Sequence, residues 1–326
     1  MPELTGGGAA APDGPGDPGA EAVHRVLVGG TGSGKKRVAA ALFRRHGQRL
    51  LAMDSMKVYR GMDVGTDKPP PELVRETDWR LLDLVGHDES FTSGRWLEAA
   101  KAEVEQAAAD GAPVLFAGGT PLYLRLLLEG LCPSPPADEA LRAELDARWE
   151  AEGEAALRAE LAARDPELDA RLLPGDRKRV LRGLEVALLS GRALSDWQRE
   201  ETRPVIPGRF LVAALRRERE SHDDALAARV ARMFDEGLVE EVEGLRARAP
   251  FAPEPARAIG YAETLELLDG TLDRPAAEAR IVQRSRRLVR KQGTFLRSFA
   301  AVRWVDVAAD ADEATVVAEV ERALEL

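Results

Sequence analysis

The stretch Val26-Leu27-Val28-Gly29-Gly30-Thr31-Gly32-Ser33-Gly34-Lys35-Lys36 most narrows what this chain can become. Three apolar β-formers run into a glycine-rich turn, and Val38-Ala39-Ala40-Ala41-Leu42-Phe43 then reads as a helix. Strand, Gly-rich turn and helix N-terminus together make a cradle for phosphate groups. Backbone N–H groups turn inward there, and the helix dipole adds positive charge. Gly29, Gly34 and Lys35 hold the spacing of G-x-x-x-x-G-K, which makes Gly29, Gly30, Thr31, Gly32, Ser33, Gly34, Lys35 and Lys36 candidate phosphate ligands. The residue after the lysine is normally Ser or Thr, whose hydroxyl reaches Mg²⁺. Here it is Lys36. The bland alternative is a tight turn carrying two solvated lysines.

Strand and helix signals continue to alternate after this loop. Arg49-Leu50-Leu51-Ala52-Met53 reads as a buried strand ending at Asp54-Ser55, and Leu81-Leu82-Asp83-Leu84-Val85 as a third strand. A helix is expected from Phe91 to Gly111. A fourth strand, Pro113-Val114-Leu115-Phe116-Ala117, then feeds Gly118-Gly119-Thr120 and a helix over Leu122–Leu128. This order implies an α/β, P-loop-type, doubly wound parallel sheet. In such a sheet Asp54 and Thr120 fall at the crevice beyond the strand ends where ligands bind. By position alone Asp54 is as well suited to capping a helix as to catalysis.

Pro133-Ser134-Pro135-Pro136 breaks the alternation, and the chain from Asp138 to about Glu201 reads as wholly helical. Its apolar positions include Leu141, Leu145, Trp149, Leu157, Leu161, Val180, Leu181, Leu184, Val186, Leu188 and Leu189. Phe210-Leu211-Val212-Ala213-Ala214-Leu215 returns to the sheet. Asp224–Leu245 is one long helix or a helix pair, with Arg229 beside its apolar stripe, and Trp304-Val305-Asp306 is a last short strand. The expected organisation is a disordered tail over 1–22, an α/β core from 23–133 and 207–306, an all-helical insertion lobe over 134–206 and a C-terminal helix over 307–326. The tail is rich in Gly, Pro and Ala, with too little apolar surface to offset the entropy of ordering.

The 326 residues carry a net charge of −10, which argues superficially against a nucleic-acid partner. A phosphate partner feels the local field, however, and Ile281–Val305 contains no Asp or Glu. That window holds Arg284, Arg286, Arg287, Arg290, Lys291, Arg297 and Arg303, either a solvated basic helix face or a phosphate-binding one. Lys178 and Arg182, four apart, share a helix face with Arg179 nearby. The single cysteine, Cys132, excludes an internal disulfide framework and a Cys-based zinc site. No apolar run reaches membrane-spanning length and no signal core precedes the first strand, so a cytoplasmic protein is expected.

Seven blocks, taken in order, resemble the tRNA dimethylallyltransferases, or tRNA isopentenyltransferases. They are GGTGSGKK, MDSMKVYRGMDVGTDKP, FAGGTPLYLRLLLEGL, PGDRKRVLRGLEVALLSGRALS, MFDEGLVEEVEGL, RAIGYAETLELLDG and RKQGTFLR, spanning about Val26 to Phe299. The resemblance implies transfer of a dimethylallyl group from dimethylallyl diphosphate to N6 of the adenosine 3′-adjacent to the tRNA anticodon. It implies Mg²⁺ as cofactor, and a P-loop that holds a diphosphate leaving group in place of a nucleotide triphosphate. It assigns Asp54 as general base, Thr120 as a hydrogen-bonding hydroxyl near the reacting centre and Arg229 as a diphosphate contact. The tRNA contacts it implies are Asp54, Ser55, Met56, Lys57, Thr120, Arg142, Lys178, Arg179, Val180, Leu181, Arg182, Arg257, Ala258, Ile259, Gly260, Tyr261 and Ala262. A monomer acting on the anticodon stem-loop, with no membrane association, is expected.

The chain departs from the family pattern at named places. Lys36 stands for Thr, Lys57 for Gln, Ala262 for Lys or Arg, Ala225 for Arg and Phe295 for Trp, and Gly86-His87 interrupts an Asp-Pro. Three other readings compete. An adenylate isopentenyltransferase needs no anticodon-gripping lobe, and a P-loop kinase needs the hydroxyl that Lys36 replaces. A non-catalytic tRNA-binding paralogue is at odds with intact Asp54, Thr120, Lys35 and Arg229.

Overall fold

The computed structural model describes residues 22–200, 202 and 204–326. The tail expected over 1–22 lies outside them except for Ala22, as do Glu201 and Arg203 of the expected helical lobe. Six strands form one parallel sheet: β1 (Val23–Gly29), β2 (Arg49–Met53), β3 (Trp79–Arg80), β4 (Val114–Gly118), β5 (Arg209–Arg217) and β6 (Val302–Val307). Their order across the sheet is β3-β2-β4-β1-β5-β6. Val26, Leu27 and Val28 of central β1 are buried, and every residue of β2 and β4 is buried. Strands covered on both faces read as continuous apolar runs for this reason. Edge strand β6 instead alternates, with Val302, Val305 and Val307 inward and Arg303 and Asp306 exposed.

Fourteen helices complete the described chain. The first three are α1 (Lys35–His46), α2 (Pro71–Glu76) and α3 (Ser93–Ala109). Next come α4 (Pro121–Glu129), α5 (Glu139–Arg164), α6 (Pro166–Arg171), α7 (Arg177–Ser190) and α8 (Leu194–Arg199). The rest are α9 (Arg219–Asp235), α10 (Leu238–Arg248), α11 (Pro253–Ala256), α12 (Tyr261–Leu268), α13 (Arg274–Leu296) and α14 (Glu313–Leu324). α1 packs on β1, β2 and β4 and against α14, which covers β5 and β6. Among the described residues no helix is long and apolar enough to cross a membrane.

Two compact units result. One comprises the chain up to Ser90, Glu103–Gly119 and Pro207–Leu326, and contains the sheet. The other comprises Phe91–Ala102 and Thr120–Ile206 and is helical. Its core is Leu145, Leu157, Leu161, Leu168, Val180, Leu181, Leu184, Val186 and Leu194. Trp96 stacks on Tyr123 within it, the ring centroids 4.1 Å apart. Asp165 caps α6 by accepting from Leu168 N–H and also accepts from Ser195 N–H.

Several local expectations are corrected. The run Leu81–Val85 is not a strand: β3 ends at Arg80, and Leu81 and Asp83 have left-handed φ of 63° and 55°. The Lys68 ammonium holds that turn by donating to Asp83, Asp63 and the Tyr59 carbonyl. Of the two alternatives for Asp224–Leu245 the helix pair holds: α9 and α10 are parted at Gly237, with φ 95°. Leu188 and Leu189 are exposed and do not join the apolar stripe of α7. The acid-free window from Ile281 is not one helix either, since α13 stops at Leu296 and Val302–Val307 is strand.

Candidate active site

The sheet brings the glycine-rich turn after β1, the Asp54 loop after β2 and Gly118-Gly119 after β4 to the C-terminal ends of three neighbouring strands. Gly34, at φ 91°, is the N-cap of α1, a backbone shape that costs a side-chain-bearing residue dearly. Close approach dictates Gly118 as well: a Cβ there would lie 1.9 Å from the Met53 carbonyl oxygen on β2. The amides of Lys35 and Lys36 fall in the first turn of α1, where a helix offers them no carbonyl of its own. No acidic residue occupies that turn.

The Lys35 ammonium curls over its own loop, donating to the carbonyls of Gly29 and Gly30, each at 2.8 Å. Burial, then the neighbouring charge of Lys57, lowers its pKa from 10.5 to about 7, against the opposing pull of Asp54. Two residues on distant helices fix the loop. Gln292 of α13 is buried; its carbonyl accepts from Thr31 N–H at 3.2 Å and its amide donates to Gly119 O at 2.6 Å. The His222 ring of α9 lies 2.6 Å from Thr31 O.

Asp54 is half-buried, and its Oδ1 accepts from Met56 N–H at 3.0 Å. This bond two residues on is an Asx-type turn, so Asp54 does shape its own loop. Its carboxylate also lies within the field of Lys35 and Lys57. The loop then delivers Asp67, left-handed at φ 54°. Asp67 Oδ1 accepts from Lys36 Nζ at 2.6 Å and its carbonyl from Lys57 Nζ at 2.8 Å. Burial pushes the Asp67 carboxyl up, but Arg229, Lys36 and Lys57 outweigh it and hold the group below the ordinary carboxylate range. Burial lowers the Lys57 pKa, partly offset by Asp54 and Asp67. Lys35, Lys36, Lys57 and Arg229 thus gather round Asp54 and Asp67, an excess of positive charge suited to a multiply charged anion.

A separate anchor sets the path of the 54–67 loop. Glu241 of α10 accepts from the backbone N–H groups of Asp63, Val64 and Gly65, and from the Tyr261 hydroxyl at 2.6 Å. A Cβ at Gly65 would meet the Tyr261 ring at 2.4 Å, which excludes any larger residue. Burial and Glu241 push the Tyr261 hydroxyl far above its ordinary pKa, so it stays a donor.

The residues singled out for RNA contact fall in diverse environments. Ser55, Met56 and Lys57 belong to the Asp54 loop and are half-buried. Thr120 is the N-cap residue of α4 and directly follows Gly119. Lys178 and Arg179 are exposed, Arg179 pairing with Asp176, whereas Val180 and Leu181 are core residues. Arg142 and Arg182 both pair with Glu185, whose side chain is fully buried, at 2.9 and 2.6 Å. Arg182 also donates to Pro135 O. Arg257 is exposed, Ile259 and Ala262 are half-buried, and Ala258, Gly260 and Tyr261 are buried.

Within the basic window, Arg284 pairs with buried Glu263, Arg286 with Asp223 and Arg303 with Glu325. Arg287, Arg290, Lys291, Thr294 and Phe295 line a shallow depression on α13. Four residues that organise the site escaped sequence reasoning: Asp67, His222, Glu241 and Gln292. Asp67, Glu241 and Gln292 sit inside the blocks that carry the resemblance, but their partners lie from 10 to 261 positions away in the chain. No local pattern announces such pairings.

The Mg²⁺ implied by the resemblance would need a side-chain oxygen at the end of the P-loop. Lys36 replaces the metal-binding hydroxyl, and its ammonium occupies Asp67. Among the described residues no group of three or more His, Cys, Asp or Glu is placed to hold a metal. With a lysine in place of the hydroxyl and its ammonium on Asp67, the first turn of α1 presents a cation where the motif would present Mg²⁺ with an oxygen.

Residues 57–299 match the family model described as IPP transferase. A tRNA dimethylallyltransferase of Geobacter sulfurreducens is 39% identical over 295 residues, covering 90% of this chain and 94% of that protein. Among solved structures, the full-length tRNA isopentenylpyrophosphate transferase of Bacillus halodurans aligns over 94% of this chain and 97% of its own, with TM-score 0.67 and 30% identity. A eukaryotic dimethylallyltransferase acting on tRNA shares the fold at TM-score 0.73, over 87% of this chain and 74% of that one, with 22% identity. A family model matched over most of the length, and a relative of this identity aligned nearly end to end, place the sequence: the chain belongs to the IPP transferase family of tRNA dimethylallyltransferases, which are prenyltransferases.

Proposed function

We propose that this chain transfers a dimethylallyl group from dimethylallyl diphosphate to N6 of the adenosine 3′-adjacent to a tRNA anticodon. The observation that carries this reading is the gathering of Lys35, Lys36, Lys57 and Arg229 round Asp54 and Asp67 at the mouth of a P-loop. The N6 lone pair attacks C1 of the dimethylallyl group, and the C1–O bond breaks with its electron pair leaving on the diphosphate. The adenine amine is a weak nucleophile because its lone pair is delocalised into the ring, so its proton must be taken as the C–N bond forms. Asp54 is the proposed acceptor. Negative charge grows on the departing diphosphate, and fixed cations aimed at it lower the barrier. The proposed donors are Lys35, Lys36, Arg229 and the amides of residues 29–36. The Thr120 hydroxyl is the proposed hydrogen-bonding group beside the reacting centre. In place of protein-held Mg²⁺, this mechanism uses the protein's own ammonium and guanidinium groups.

The adenine leaves its stack in the anticodon loop to reach a half-buried base, as enzymes acting on bases require. Residues 54–57 and 257–262 are proposed to receive the loop. Exposed Lys178 and Arg179 of the 134–206 lobe are proposed to meet backbone phosphates, with 23–133 and 207–306 forming the catalytic core. A cytoplasmic monomer fits this role.

The test is incubation of the purified protein with dimethylallyl diphosphate and unmodified tRNA, followed by nucleoside analysis. Prenylated adenosine beside the anticodon is expected, and Asp54→Ala should abolish it while tRNA binding stays within a few-fold. Prenylation of free adenylate alone would overturn the tRNA assignment, and near-normal turnover by Asp54→Ala would remove Asp54 as the base.

A further inference from the structure

We propose that Lys36 is a resident cationic ligand for the diphosphate, held on Asp67 until the anion arrives, so that this chain binds dimethylallyl diphosphate without a divalent cation. The inference rests on the diphosphate reading above and deepens it. Lys36 sits in the first turn of α1, one residue past the P-loop lysine, where a hydroxyl would otherwise reach a metal. Its ammonium is not folded into solvent: it lies 2.6 Å from Asp67 Oδ1, and its side chain is 27% exposed. Two lysines at the positive end of a helix dipole, with no acid in that turn, are electrostatically unfavourable unless anions complete the site.

Asp67 supplies one such charge from across the loop. Its left-handed backbone turns the carbonyl to Lys57 and the carboxylate to Lys36. Strained backbone of this kind persists where the surroundings over-determine it. With Arg229 and Lys57 also acting on Asp67, that carboxylate serves as a shared counter-ion for the cations gathered there. A diphosphate carries more charge than one carboxylate, and its oxygens would draw Lys36 off Asp67. The resulting contact delivers positive charge where a bound metal would have delivered it. No proton or electron moves in this exchange; one ion pair replaces another.

The test is calorimetric titration with dimethylallyl diphosphate, tRNA omitted, in EDTA and again with Mg²⁺. Wild type, Lys36→Thr, Lys36→Met, Asp67→Asn and the Lys36→Thr/Asp67→Asn double variant are compared, each checked for a cooperative melt. Wild-type affinity should change by less than about threefold between the two conditions. Lys36→Thr should bind about tenfold or more weakly in EDTA, the worth of a lost charge-assisted hydrogen bond, and recover with Mg²⁺. Lys36→Met should weaken equally and not recover. Asp67→Asn should tighten binding in EDTA, and should do so less when Lys36 is already Thr. Equal dependence on Mg²⁺ in wild type and Lys36→Thr would overturn this inference and leave the diphosphate reading intact. Absence of binding in every arm would overturn both.

Discussion

Lys35 is the residue whose charge state most directly governs the site. Its pKa, lowered by burial and by Lys57 to about 7, lets it lose its proton near neutrality when no diphosphate is bound. A bound diphosphate favours the ammonium form, so binding takes up a proton once the pH exceeds that value. Diphosphate affinity should therefore fall as pH rises through about 7, by at most about tenfold per pH unit. Calorimetry across neutral and alkaline pH checks this, and a flat profile would mean that Lys35 stays fully charged. The same shift has a stability consequence of definite sign. The unfolded chain carries lysine at its ordinary 10.5, so between about 7 and 10.5 the unfolded state holds more protons. This residue's contribution to stability therefore grows with pH across that window.

At the level of elements, α13 matters more for what it staples than for the charge it carries. Gln292 ties Thr31 of the P-loop to Gly119 after β4, just beyond the last paired residues of β1 and β4, Val28 and Gly118. Gln292→Ala would leave a half-buried N–H and a carbonyl unpaired, at a cost of about 1–3 kcal/mol. The expected outcome is a fold that survives with diphosphate binding weakened by about tenfold, measured by the same titration. Unchanged affinity would show that the loop holds its shape without α13. In the helical unit, α7 is likewise organised by a buried acid. Arg182 and Arg142 satisfy Glu185, so Arg182→Ala should cost about 2 kcal/mol or more of stability, read from denaturant unfolding. Arg182→Ala with unaltered stability but a flattened salt dependence of tRNA binding would return Arg182 to the phosphate contacts.

Across the whole molecule, charge is sorted in a way the total conceals. A chain of net charge −10 neutralises much of its arginine internally, yet leaves Arg287, Arg290 and Lys291 together along one exposed stretch of α13. If these meet phosphates, replacing all three by Gln should reduce the slope of log affinity for tRNA against log salt by about two. A salt titration of both proteins measures it, and an identical slope would make this stretch a solvated surface.

Periodicity carried most of the fold. β1, β2, β4 and β5 are central strands whose apolar runs need no partner to be recognised, and the Gly29–Lys35 spacing announces a phosphate cradle by itself. The sequence was least informative where structure depends on distant partners. Leu81–Val85 has a strand's composition, yet Lys68 ties it into a turn. Arg182 and Arg284 look like free cations, yet buried Glu185 and Glu263 claim them. Hydrophobic pattern and turn chemistry are local and so are determined by sequence alone. The pairing of buried charges is a long-range choice, made when tertiary packing removes water and each carboxylate must find a cation. That choice set Lys36 on Asp67, and it gathered Lys35, Lys57 and Arg229 into the field of the same loop carboxylates.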